Sequence, residues 1–95
     1  MTALAPTRRV PRVIPEPTPP KGWTDHGGGL WGWLSPEGAV TVSIHVFLDG
    51  QTSPPAVVGT GSFRIAARGL RQAIQAQEAL LDYVARRAEW EGQQR

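Results

Sequence analysis

Asp25, His26 and Ser35 are the side chains whose types could together do catalytic chemistry. A carboxylate, an imidazole and a hydroxyl are the parts of a hydrolytic set. Their context argues against it. Asp25 and His26 are neighbours in a glycine-rich stretch, "GWTDHGGG", and no strand–serine–helix elbow surrounds Ser35. Two histidines, His26 and His45, with no cysteine, are too few for a zinc site. The three glycines at 27–29 have the composition of a phosphate cradle, but such a loop opens a helix, and here a strand follows. The expectation is a protein that is not an enzyme, with no cofactor, no metal and no small-molecule substrate.

The remaining chemistry is that of binding, and it centres on Trp31 and Trp33 in "GGGLWGWLSPEGAVTVSIHVFLDG". Val40, Val42, Ile44, Val46 and Leu48 alternate with Thr41, Ser43, His45 and Phe47, the period of a half-buried strand. "SPEG" before it reads as a hairpin turn. Proline suits the second turn position, and the glycine suits a left-handed bulge that closes a three-residue loop, Pro36–Glu37–Gly38. On that loop Leu34 opposes Val40, Gly32 opposes Val42 and Leu30 opposes Ile44. Opposed residues share a face, so both tryptophans are expected outside with Thr41, Ser43, His45 and Phe47. A two- or four-residue loop would shift the register by one and turn both indoles inward.

Such a surface needs elements to hold it. A chain of 95 residues is expected to form one small domain, with just enough length to bury a core. "VVGTGSFRI" (57–65) reads as a third strand with Thr60, Ser62 and Arg64 on the outer face. Residues 66 to about 91 read as an amphipathic helix with Leu70, Ile74, Leu81, Val84 and Ala88 on one stripe, broken by Gln77. That stripe also fits a heptad seam, though packing on a sheet is its commoner use. Arg68 and Arg71 lie in the first helical turn, where cations are mildly unfavourable. They are read either as solvated or as awaiting an anion or an acidic partner. The fold class is therefore α+β: a three-stranded antiparallel sheet packed on one C-terminal helix.

Residues 1–21 form a separate segment, holding six of the nine prolines. Proline removes a ladder donor and fixes φ, so an extended arm is expected ahead of a 22–95 domain. Net charge is +2, unevenly spread. Arg8, Arg9, Arg12 and Lys21 against Glu16 leave the arm at +3, while six arginines against seven acids leave the rest at −1. No apolar run is long enough for a membrane span. The opening residues lack the apolar stretch of a secretion signal, and absent cysteines suit a reducing compartment, so a cytoplasmic location is expected.

The sheet-then-helix order, with "VGTGSF" leading into "RIAARGLRQAIQAQEALLDYVARR", resembles the DNA-binding domain of plant ethylene-response factors. It is similar too to the arm-binding domains of phage tyrosine integrases. The likeness covers roughly residues 28 to 88 and lies in architecture. It implies a sheet face laid in the major groove, with Trp31, Trp33 and Arg64 as contacts and Thr41, Ser43 and Thr60 as lesser ones. Those families fill their strands with arginine and lysine, whereas this sheet would have Arg64 alone. Two readings of function follow. The first is a DNA-contacting accessory protein using the sheet face (Trp31, Trp33, Thr41, Ser43, His45, Phe47, Thr60, Arg64), with Arg8, Arg9, Arg12, Lys21, Arg68 and Arg71 as cationic contacts. The second is a protein–protein interaction module, phage-encoded or a small assembly component, with Trp31, Trp33 and Phe47 as anchors and the proline arm wrapping a partner. A homo-oligomer is compatible with either.

Overall fold

The computed structural model describes residues 14–94. Its sheet is built around the hairpin, and the hairpin around Ser35. The Ser35 N–H donates to the Val40 carbonyl (2.8 Å), and the Gly38 N–H donates to the Ser35 carbonyl (2.8 Å). The buried Ser35 hydroxyl accepts from the N–H groups of both Ala39 and Val40, each at 3.1 Å. Gly38 takes the left-handed φ of 77° that the turn requires. Ala39 thereby becomes a fourth loop residue. The loop is Pro36–Ala39, and its even length reverses the expected parity.

Strand β2 (Leu30–Leu34) consequently meets β3 (Val40–His45) with Trp33 opposite Val42 and Trp31 opposite Ile44. The two tryptophans join the aliphatic face. The expected outward orientation is therefore corrected: Trp31 is 6 % exposed and Trp33 8 %. A further strand, β1 (Trp23–Asp25), lies in the stretch read as loop and pairs with β2, Trp23 opposite Trp33. The fourth, β4 (Ala56–Gly59), pairs with β3 on the other side. The sheet thus has four antiparallel strands in sequence order rather than three.

The expected third strand ends early. Gly61 takes a φ of 86°, and Ser62 caps a helix, its hydroxyl accepting from the Ile65 N–H at 3.3 Å. Helix α1 runs Phe63–Gln93, so Arg64 is helical and does not share a sheet face with Thr60. Val40, Val42 and Ile44 of β3 form the centre of the core, with Trp23, Trp31 and Trp33 beside them and Ala73, Leu80 and Tyr83 above. Trp31 meets Tyr83 edge to face at 5.5 Å, a geometry worth about 1 kcal/mol beyond burial. The Trp23 indole N–H donates to the Ala76 carbonyl (2.8 Å), latching β1 to α1.

The helix presents a different side from the one its large residues suggest. Its buried residues are Gly69, Ala73, Leu80 and Tyr83. Where α1 crosses Val40 there is no room for a side chain. A Cβ placed on Gly69 would lie 2.6 Å from Val40 Cγ2. Leu70, Ile74 and Leu81 each follow a core residue by one position, which turns them about 100° away from the sheet. Of the expected stripe only Val84 packs against the core.

The described end of the proline segment has no regular structure, and it runs beside the C-terminal part of α1, with the Ile14 N–H donating to Gln93 Oε1 (3.0 Å). Arg8, Arg9 and Arg12 lie outside the described residues.

Two stability measurements follow. Ser35→Ala leaves two buried N–H groups without their acceptor and is expected to lower the unfolding free energy by about 1–3 kcal/mol in urea titrations. Gly69→Val overpacks the helix–sheet contact against Val40 and is expected to cost about 2–3 kcal/mol in the same assay.

Candidate functional site

Burial of the tryptophans changes which surfaces are free. The outer face of the sheet, opposite α1, carries Thr24, Leu30, Gly32, Leu34, Thr41, Ser43, His45, Ala56 and Val58 by strand alternation. Leu30, Leu34 and Val58 are exposed, Leu34 at 56 %. None of these residues is charged. His26 leans over Gly32 at the β1 side.

Of the residues expected at this face, Thr41, Ser43 and His45 are on it. His45 is tied down: its Nε2 lies 2.8 Å from the Gly28 carbonyl, and its backbone N–H donates to Ser53 Oγ (2.9 Å). Phe47 lies beyond the strand, in the 46–55 connection, its ring edge-on to His45 at 4.7 Å. Thr60 joins β4 to α1, its N–H donating to the Ala39 carbonyl at 2.7 Å. Trp31 and Trp33 are on the opposite face, inside the core. An odd loop places Leu30 and Leu34 inward, and the even loop brings them out, whereas Val58 is on the outer face that the alternation of its own strand predicts.

The cations are elsewhere. Lys21 is exposed just before β1, and Arg64, Arg68 and Arg71 are exposed on the first half of α1. Arg68 meets Glu37 of the hairpin turn, its Nη1 within 3.1–3.2 Å of both carboxylate oxygens. The acidic partner considered for Arg68 is thus supplied by the chain itself. Arg64 and Arg71 make no ion pair among the described residues.

A cleft of about 470 Å³ opens at the end of the sheet away from the hairpin turn, between the Gly27–Gly29 loop, the 46–50 loop and the second half of α1. Arg87 lines it. Its Nη1 donates to the Tyr83 hydroxyl (2.9 Å) and its Nε to Glu91 (3.3 Å). Those two bonds, Tyr83 first, hold its pKa above the usual arginine value against a smaller opposing effect of burial. The cleft's guanidinium is therefore already engaged.

The hydrolytic set is not assembled. Ser35 is committed to the β2–β3 turn, while Asp25 pairs with Trp31 near the other end of β2 and accepts from the Gly27 N–H (2.8 Å). No group of three or more potential metal ligands occurs among the described residues, and no described helix is long and apolar enough to cross a membrane.

A second uncovered surface runs along α1. Phe63, Leu70, Ile74 and Leu81 are exposed, Phe63 at 89 % and Ile74 at 62 %. Comparison with known family models, curated proteins and solved structures gives no match.

Trp31→Ala is expected to act as a core deletion, lowering stability by about 3–5 kcal/mol in chemical denaturation. Thr41→Ala and Ser43→Ala on the outer face are expected to stay within about 0.5 kcal/mol of wild type.

Proposed function

We propose that the chain is a protein–protein interaction module whose contact surface is the outer face of the sheet. One observation carries the reading: apart from the His26 ring over Gly32 this face is open and uncharged, and Leu30, Leu34 and Val58 are exposed on it. Exposed apolar groups gathered on a flat sheet favour contact with another apolar protein surface. Thr41, directly between Leu34 and Val58, and Ser43 on the same strand supply hydroxyls for hydrogen bonds within the contact.

The same face is poorly suited to nucleic acid. Phosphate neutralisation dominates that kind of affinity, and arginine or lysine provides it. Here the arginines belong to the helix, and Arg68 is paired with Glu37. The position-by-position likeness to the ethylene-response and integrase domains loses its main contacts. Trp31 and Trp33 are core residues, and Arg64 is helical.

The test compares the full chain with a Leu34→Glu, Val58→Glu double variant, both immobilised and offered the same host lysate and a generic DNA duplex. The expected result is capture of a specific protein by the wild type. The variant should bind that protein about thirtyfold more weakly, the effect of losing roughly 2 kcal/mol of anchor contacts, with its circular dichroism unchanged. Steeply salt-dependent duplex binding that the double variant retains would instead place function on the cationic residues.

A further inference from the structure

The stripe on α1 that carries the exposed Phe63, Leu70, Ile74 and Leu81 has a regularity that sheet packing does not require. Phe63, Ala67, Leu70, Ile74, Gln77, Leu81, Val84 and Ala88 follow one another at spacings that alternate strictly between four and three. That is a 3.5-residue repeat held for about 38 Å of helix. The fully buried, sheet-facing residues are a separate row, Gly69, Ala73, Leu80 and Tyr83, and of the seam only Val84 also packs against the core. The described end of the proline segment lies beside Arg86 and Glu89, away from the stripe. An alternating seam of this length is the pattern of a helix that meets another helix.

Charge along the flank says how that helix should run. Arg64, Arg68 and Arg71 occupy the first half of α1, where Arg68 is already paired with Glu37, while Glu78, Asp82 and Glu89 occupy the second, where Arg86 is already paired with Asp82. A parallel copy would set like charge beside like. An antiparallel copy sets each basic half beside an acidic one, which is self-complementary under a two-fold axis.

We propose that the protein is a homodimer in which α1 packs antiparallel against α1 of a second copy along this seam. The seam matches itself in that orientation. Leu70 lies level with the partner's Leu81, and Ile74 with the partner's Gln77. Small residues meet large ones at the outer layers, Ala67 against the partner's Val84 and Phe63 against the partner's Ala88. Arg71 flanks the partner's Glu78. Neither Arg71 nor Glu78 makes an ion pair among the described residues of its own chain. Gln77 is the single polar residue of the seam, of the kind that fixes register at some cost in affinity. The dimer is independent of the proposed outer-face contact, because the seam and that face are on different sides of the molecule.

Sedimentation equilibrium on the full chain is the test. The wild type is expected to dimerise. Ile74→Glu with Leu81→Glu is expected to give a monomer of unchanged helicity, and Gln77→Leu to tighten the dimer. Arg71→Glu alone should weaken association roughly threefold to tenfold through two lost pairs, and adding Glu78→Arg should restore it. A wild type that stays monomeric at every concentration overturns the proposal. So does a monomer that dimerises only when residues 1–13 are removed, since the arm would then be the seam's occupant. A dimer indifferent to the seam variants, or weakened by Arg71→Glu and not rescued by Glu78→Arg, overturns the antiparallel arrangement. None of these outcomes depends on whether the outer sheet face binds a protein.

Discussion

The Ser35 hydroxyl is the interaction on which the rest of the structure depends. By accepting from both Ala39 and Val40 it takes one more residue into the turn than the backbone pattern of proline and glycine asks for. A strand has a side-chain period of two, so one residue exchanges the faces of everything beyond it. Trp31 and Trp33 pass into the core, Leu30 and Leu34 pass out, and the aromatic platform becomes an aromatic interior. The turn holds more than one strand pair together. Ala39 receives the Thr60 N–H through its carbonyl, and Glu37 receives Arg68. The hairpin tip therefore touches the start of the helix as well as the strands it joins.

Filling the inner face with three indoles shapes the helix above it. Where α1 crosses Val40 only a glycine fits, as the close approach of Gly69 demonstrates. Bulk returns toward the C-terminal half, where Leu80 and Tyr83 reach Trp31 and its neighbours. Helix–sheet packing thus uses the small residues of α1 and leaves several of its large ones, Leu70, Ile74 and Leu81, at the surface. The helix is apolar on two adjacent sides for two different reasons, and only one of them is satisfied by the sheet.

Much of this was legible in the residues, and the failures have physical causes. The alternation through Val40, Val42 and Ile44 marked β3, and the alanine-rich run marked the helix. The overall α+β class followed from those two elements needing each other's apolar side. Strand β1 was invisible because three residues are too short to show a period, and Trp23 is held by a bond to Ala76 far along the chain. The turn length was misread because a side-chain hydroxyl, not the backbone preferences of proline and glycine, set it. The helix face escapes the sequence because Leu70, Ile74 and Leu81 weigh heavily in a periodicity, whereas half of the buried positions are Gly69 and Ala73, which carry almost no side chain. The site depends on the turn: the alternation places Thr41, Ser43 and His45 on the outer face, but their neighbours there are Leu30 and Leu34 rather than Trp31 and Trp33.

The strands lie side by side in the order in which they occur in the chain. Each pairing therefore closes only a short connecting segment, and little chain entropy opposes it. The bond from the Trp23 indole to Ala76 spans 53 residues. Docking of the helix is thus the principal distant encounter the polypeptide must make, the low-contact-order condition under which small domains reach their native state quickly.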